Sequence, residues 1–346
     1  HYPLRRQRQM CIRDSRYSRR VQVLIDGRSV YTPAFGGVAW ENLPIIVDDI
    51  ERIEVIRGPN SALYGSNSFS AVISITTRFS AGTAKSGIHT IVENSQNNSV
   101  KGNWSNSHGK LEYAISSFFY TDEGDTNNHP KSEADSDRRR AVNFSVNYQL
   151  SPLDSLHLDT GALDGSGETG NANDSTDLLR NTERDYNYLK LKYDHQFENG
   201  DNIFIQFFNT QEQLRGGKFS LPVALAANQP NLLLANFDNE YSNSRAELEL
   251  VYTPEAWDTF RYVAGGSIRK DTVQSSTNLS GDESINVARA FVNTETRLTD
   301  STLFGLGGMF EEHDSSGSSF SPKLSLVQLL NDNYSLRFIA SQATRA

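Results

Sequence analysis

From residue 86 onward, apolar side chains recur at every second position. In Arg140-Ala141-Val142-Asn143-Phe144-Ser145-Val146-Asn147-Tyr148-Gln149-Leu150 the even positions are apolar, and nearly every odd one is polar or small. Ala246, Leu248, Leu250 and Tyr252 repeat the pattern, interleaved with Glu247, Glu249 and Val251. Successive side chains of a strand point to opposite faces, so each run builds one apolar and one polar face. About thirteen such runs follow residue 86, each of roughly the 9 to 11 residues, or slightly more, that a tilted strand needs to cross a bilayer.

The connections sharpen this picture. Short turns are predicted near Ser107-His108-Gly109, Ser151-Pro152-Leu153-Asp154, Glu198-Asn199-Gly200-Asp201, Thr253-Pro254-Glu255, Thr299-Asp300-Ser301 and Asn331-Asp332-Asn333. Long polar connections fall between them, near residues 122 to 137, 164 to 182, 214 to 238 and 272 to 286. Alternating short and long connections match the tight periplasmic turns and large outer loops of a membrane barrel. A soluble sandwich or propeller has no general reason to alternate so regularly. Aromatic residues add two expected girdles: Tyr148, Phe197, Tyr252, Phe260 and Tyr334 beside short turns, and Phe118, Phe119, Tyr120, Phe208 and Tyr241 beside long ones.

Residues 21 to 78 read differently. Val21 to Ile25 is a short apolar strand stopped by Asp26-Gly27, a tight-turn signal. A loop follows through Tyr31, Phe35 and Trp40. Ile50 to Arg57 alternates apolar and charged residues, as a half-buried strand would, before the breaker Gly58-Pro59. Asn60 to Gly65, with Tyr64 just before its glycine, suits one helical turn with a polar start and a terminating glycine. The chain then re-extends over Ala71 to Thr77. A unit of about 60 residues is marginal unless something encloses it.

Composition changes the picture in a few places. With 14 Tyr, 18 Phe and 24 Gly against 2 Met and 1 Cys, strands and turns are favoured over helices. No window approaches the roughly 18 apolar residues of a membrane helix. A mean hydropathy of −0.53 still suits a barrel, whose strands show lipid only every second side chain. The balance of 33 Lys+Arg against 42 Asp+Glu argues against a nucleic-acid partner. Cys11 stands alone, which excludes a disulfide within the chain and a thiolate metal cluster. Residues 1 to 20 hold seven arginines, begin with His1 and lack the apolar stretch of a secretory signal. They are read as non-native sequence on a truncated start, in preference to a basic arm for nucleic acid or lipid.

The succession VLIDGRSVYTPAFGGVAW, DIERIEVIRGPNSALYG and AVISITTR resembles, in order and spacing, the second half of the plug domain of TonB-dependent outer-membrane receptors. Its motif residues here are Asp26, Gly27, Arg57, Gly58, Pro59, Tyr64 and Gly65. The family pattern has a Gly-Gly or Asn-Gly pair before the last plug strand, where this chain has Ser70-Ala71. The resemblance implies residues 21–80 as the C-terminal half of the plug and 86–346 as the N-terminal part of a transmembrane antiparallel β-barrel, about 13 of about 22 strands. The first half of the plug, the TonB box and about nine strands would then be missing. Residues 321 to 346 resemble the family's mid-barrel hairpin. It also implies a Gram-negative outer-membrane location, outer-membrane lipids and TonB as partners, and active uptake of a scarce solute, an iron-siderophore or haem complex ahead of a corrinoid or a sugar. Rival readings are a passive porin, distinguished by unplugged conductance, and a soluble β-rich adhesin, distinguished by detergent-free solubility.

No catalytic set emerges, so an enzyme is not expected. The seven histidines are scattered without a two-His metal spacing. Asp164 to Asp177 is rich in oxygen ligands for calcium but lacks the EF-hand spacing, and reads as a solvated outer loop; no cofactor is assigned. The resemblance places Arg57 at the plug wall against barrel glutamates, with Glu247, Glu249 and Glu295 as candidate partners in a breakable latch. Tyr31, Phe35 and Trp40 would then face the ligand, stacking on an iron chelate or corrinoid, or else packing the plug core.

Overall fold

The structure is a computed structural model that describes residues 21–343 apart from 59, 66, 67, 69, 80–85, 94–96, 124–135, 170–179, 225–231, 239, 276–281 and 332. The first unit holds β1 (Val21–Ile25), β2 (Arg28–Ser29), β3 (Ile50–Arg57), α1 (Ser61–Tyr64) and β4 (Ala71–Thr77). Its sheet runs β2-β1-β4-β3, with β1 parallel and β3 antiparallel to the central β4. Asp26 and Gly27, at φ 51° and 80°, connect β1 to β2. Positive φ at both positions is the two-residue hairpin turn whose twist matches its strands, and the Asp-Gly pair is its usual sequence. Val23, Ile25, Val30, Val38, Leu43 and Ile75 form the small core.

Two local expectations change. β3 is an edge strand with Ile53 and Val55 exposed, so alternation there does not mark a half-buried face. Ser70-Ala71 is accommodated: Gly58 N donates to Ser70 O at 2.9 Å, and Ala71 opens β4 directly.

The second unit is one antiparallel sheet of thirteen strands. It comprises β5 (Gly87–Glu93), β6 (Asn97–His108), β7 (Leu111–Asp122), β8 (Asp137–Ser151), β9 (Asp154–Thr169), β10 (Arg180–Gln196) and β11 (Asn202–Arg215). After a separate hairpin of β12 (Lys218–Ala224) and β13 (Leu232–Asp238), it continues with β14 (Tyr241–Thr253), β15 (Phe260–Gln274), β16 (Glu283–Thr299), β17 (Thr302–His313), β18 (Gly317–Asn331) and β19 (Tyr334–Ser341). The hairpin lies inside what the sequence suggested was a plain polar connection. Residues 164 to 169 and 180 to 182 are likewise strand, not loop. The connection at 314 to 316 is a short turn on the side that carries the long connections, and β5 and β6 are joined on that side by only three residues, so the alternation is broken there.

The two faces of this sheet are inverted relative to a soluble protein. Phe144, Leu248 and Leu250 are exposed, while Asn143, Ser145, Glu247 and Arg245 between them are buried. An apolar exterior around a polar interior costs free energy in water and is stable in lipid. The short-turn girdle forms as read, with Tyr148, Phe197 and Tyr334 exposed and Tyr252 and Phe260 each within about 6 Å of Tyr262. At the other end only Phe119 of the five is exposed. Phe118 and Phe208 are buried and face inward, because strand parity, not distance from a loop, decides which face a ring joins.

Candidate functional site

The plug sits in the lumen on polar contacts supplied by strands from β6 to β18. Glu212 of β11 is the most connected. Its carboxylate accepts from Thr32 Oγ1 at 2.7 Å and Asn42 Nδ2 at 2.5 Å on the plug, and from Tyr241 Oη at 2.9 Å and Asn243 Nδ2 at 3.3 Å on the wall. Arg28 donates to Tyr186 Oη, and its guanidinium lies 3.9 Å from the Tyr188 ring centroid. Arg245 donates to Ser29 Oγ at 3.0 Å while its other nitrogens grip Asp271 at 2.6 and 2.8 Å. Lys190 Nζ donates to the Asp26 carbonyl at 2.8 Å, and Asn143 Nδ2 to the Pro44 carbonyl at 2.7 Å. Near α1, Asn293 Nδ2 donates to Ala62 O at 3.2 Å.

One buried ion pair crosses between the units among the described residues: Lys101 Nζ of β6 to Asp49 Oδ1 of the plug, 2.5 Å. The sign is opposite to the expected latch, with the carboxylate on the plug and the cation on the wall. Arg57 is exposed at the end of β3 and forms no ion pair with the three glutamates. Glu247 instead accepts from Ser267 and Arg289 at 2.8 and 3.3 Å, Glu295 is held by Arg261 on the exposed short-turn side, and Glu249 lies in register between Gln206 and Ser267. Strand spacing gave no means of pairing residues nearly 200 positions apart. Gly65 closes α1 at φ 77°, and a Cβ there would stand 2.8 Å from the Arg289 guanidinium carbon, so the wall presses on the plug at this point too. Tyr64 lies in α1, Gly58 just after β3, and Pro59 outside the described residues.

The aromatic loop divides. Tyr31 lies under Arg245, with 5.6 Å from guanidinium to ring, and Phe35 meets Tyr241 edge-on at 5.9 Å. Trp40 is 47% exposed. Two of the three therefore help hold the loop to the wall. Asp26, in the tight turn, accepts from Thr77 N and Thr77 Oγ1, both at 2.8 Å, and so ties that turn to the end of β4. Burial raises its pKa above the usual carboxylate value, with the Thr77 hydrogen bonds and Lys190 opposing.

Toward the long connections the lumen wall becomes basic and aromatic. Arg139 lies 4.7 Å from the Tyr120 ring centroid and 2.7 Å from Asp137, and Arg184 Nη2 reaches Asp137 Oδ1 at 2.8 Å. Beneath them Phe118, Ala141, Leu163 and Tyr186 cluster against Ile46 of the plug. Only Asp164 to Thr169 of the oxygen-rich segment is described, as strand, with Asp164 paired to Arg140 on the outer face at 2.9 Å. Among the described residues no group of three metal-ligating side chains occurs.

A thirteen-stranded wall that is apolar outside, polar inside and seats a separate small domain on its polar face is the arrangement of a plugged barrel. The model of the TonB-dependent Receptor Plug Domain matches residues 3–72, starting inside the segment that the sequence analysis read as non-native. Those residues carry the plug domain of TonB-dependent receptors. Among its relatives is the ferrienterobactin receptor of Escherichia coli (strain K12), 26% identical over 362 residues that take in 86% of this chain and 47% of that protein. A vitamin B12 transporter, BtuB of Vibrio vulnificus (strain CMCP6), is 42% identical over 60 residues, 17% of this chain and 9% of that one. The crystal structure of the siderophore receptor PirA from Acinetobacter baumannii matches with a TM-score of 0.71 at 18% identity, covering 95% of this chain and 54% of that chain. The chain thus spans about half the length of the solved structures it matches. Its location is the Gram-negative outer membrane.

Proposed function

We propose that the full-length protein takes up an anionic iron-siderophore complex across the outer membrane, with TonB driving displacement of the plug. The observation that carries this reading is the plug seat itself, which is held by hydrogen bonds and a buried ion pair and very little by apolar packing. Such contacts are directional and can be exchanged for water one at a time, whereas an apolar seat must be opened all at once. The upper lumen supports the cargo class: Arg139 and Arg184 supply charge and planar donors, and Tyr120 an aromatic face, for a chelate that is both anionic and aromatic. The named functions of the siderophore-receptor relatives agree with it. When the chelate meets Tyr31 and Phe35 from above, it touches rings already braced on Arg245 and Tyr241, so ligand contact is relayed to the Glu212 seat.

Uptake of a radiolabelled ferric catecholate by cells producing the full-length protein tests this. Uptake should be lost in a strain without TonB and after collapse of the proton gradient. Arg184→Ala should weaken binding by about tenfold or more, as loss of a charge-assisted hydrogen bond does. Uptake that persists without TonB, or binding of haem in place of the catecholate, would overturn the assignment.

A further inference from the structure

The basic stretch of the upper lumen is built around a carboxylate. Asp137 opens β8, and its two oxygens divide between two arginines: Oδ2 lies 2.7 Å from Arg139 Nε, and Oδ1 accepts from Arg184 Nη2 at 2.8 Å. The second contact crosses a whole strand, because Arg184 stands on β10 and β9 runs between. A side chain spans two strand spacings, roughly 9.5 Å, only where the middle strand carries nothing inward. β9 is bare at that place. Gly165 lies in register between Arg139 and Arg184, and Gly167 between Asp137 and Thr182. A Cβ on Gly167 would collide with the Arg184 guanidinium. Backbone pairing of Asp137 with Asp122 on one side and Gly167 on the other fixes the carboxylate there, and Glu168 N donates to Ser136 O at 2.9 Å.

We propose that Asp137 is a tethered competitor for the anionic oxygens of the cargo, and that it decides which anions the Arg139 and Arg184 pair accepts. The inference rests on the anionic-chelate reading above and adds a selectivity element to it. One carboxylate oxygen on each of two guanidiniums is the arrangement that an anionic ligand would make with the same pair. The charges of these four neighbours balance, Arg139 and Arg184 against Asp137 and Asp122, the last of which accepts from Tyr120 Oη at 3.0 Å. A free carboxylate or phosphate therefore meets arginines that are already filled. Tethering holds the Asp137 carboxylate at an effective concentration that a dilute free anion cannot match. A ferric catecholate brings several anionic oxygens at once and rings that stack beside Tyr120, so it displaces Asp137 into solvent. A neutral ferric hydroxamate gains nothing from the pair and does not sense the competitor.

Titration calorimetry on the full-length protein in detergent tests this with a trianionic ferric catecholate, a neutral ferric hydroxamate and inorganic phosphate as probes. The parent should bind the catecholate and ignore phosphate. Asp137→Asn should bind the catecholate about fivefold or more tighter, and phosphate should now bind and compete with it. Its response to the hydroxamate should not change. Asp122→Asn removes the same charge one strand away and should reproduce neither gain, which separates a competitor from a general change of potential. Asp137→Glu should keep phosphate out. Should Asp137→Asn fail to give the heat-sensitive electrophoretic shift of a folded barrel, Asp137→Ser carries the same comparison. A parent that binds no catecholate would sink the uptake reading, while phosphate binding gained by Asp137→Asn alone would still uphold the competitor. A folded Asp137→Asn protein that gains no phosphate binding, or no more than Asp122→Asn gains, would overturn the proposal.

Discussion

Glu212 shows what a single residue contributes to this architecture. It is 4% exposed and accepts from four side chains, two on the plug and two on the wall. Glu212→Gln replaces one acceptor oxygen with a donor that faces the Asn42 or the Asn243 amide, and it removes the charge that strengthens the Thr32 and Asn42 contacts. Hydrogen exchange at the Gly36 and Asn42 amides, which close the loop through Thr32 and Ala39, should speed up about tenfold or more, in line with hydrogen bonds to charged groups. Glu295→Gln removes an exposed pair worth roughly 0–1 kcal/mol and should leave those amides unchanged. Asp26 adds a pH dependence. Its folded pKa is raised above 3.8 by burial, so folding favours the protonated form. The stabilisation is full below the unfolded pKa and is lost as pH rises through the folded one. Urea unfolding of the plug should therefore show a midpoint that falls as pH climbs from 3.8, and Asp26→Asn should flatten that slope. The Asp26-Gly27 turn was readable because its chemistry is local. Lys101 with Asp49, and Glu212 with Thr32, were not: each is an unremarkable polar residue until the fold joins positions far apart in the chain.

At the scale of strands, period-two alternation carried nearly all of the barrel. It placed thirteen strands and the polarity of each face, since every inward polar residue on β8 and β14 falls where parity demands. It failed where parity was not consulted, as with Phe118 and Phe208, and where polar composition hid structure, as in the β12–β13 hairpin. It also gave no warning of the short turn at 314 to 316, because turn residues specify that the chain reverses and not how far a connection extends. Leu248 offers a direct check on facing. Leu248→Arg puts a charge on the lipid side and should cost about 2–4 kcal/mol if it lies near the midplane, less toward an interface. Glu247→Arg, one residue away, should instead disturb the Arg289 and Ser267 contacts of the lumen. Equilibrium unfolding in phospholipid vesicles separates the two, because only the first penalty should vary with bilayer thickness.

At the scale of the whole molecule, the barrel and plug solve each other's problem. A sheet with charged residues on one face has no dry core of its own, and a domain with six principal core residues is too small to be secure alone. The plug satisfies the lumen's donors and acceptors, and the lumen holds the plug without an apolar seal. That arrangement rests on one claim: lipid touches the even-numbered side chains of β14, and a polar stopper touches the odd ones. Spin labels placed singly at positions 247, 248, 249 and 250 of the membrane-reconstituted protein measure it directly. Labels at 248 and 250 should be accessible to oxygen and shielded from a water-soluble nickel chelate, with motion restricted at 247 and 249. Equal nickel accessibility at all four positions would contradict the account.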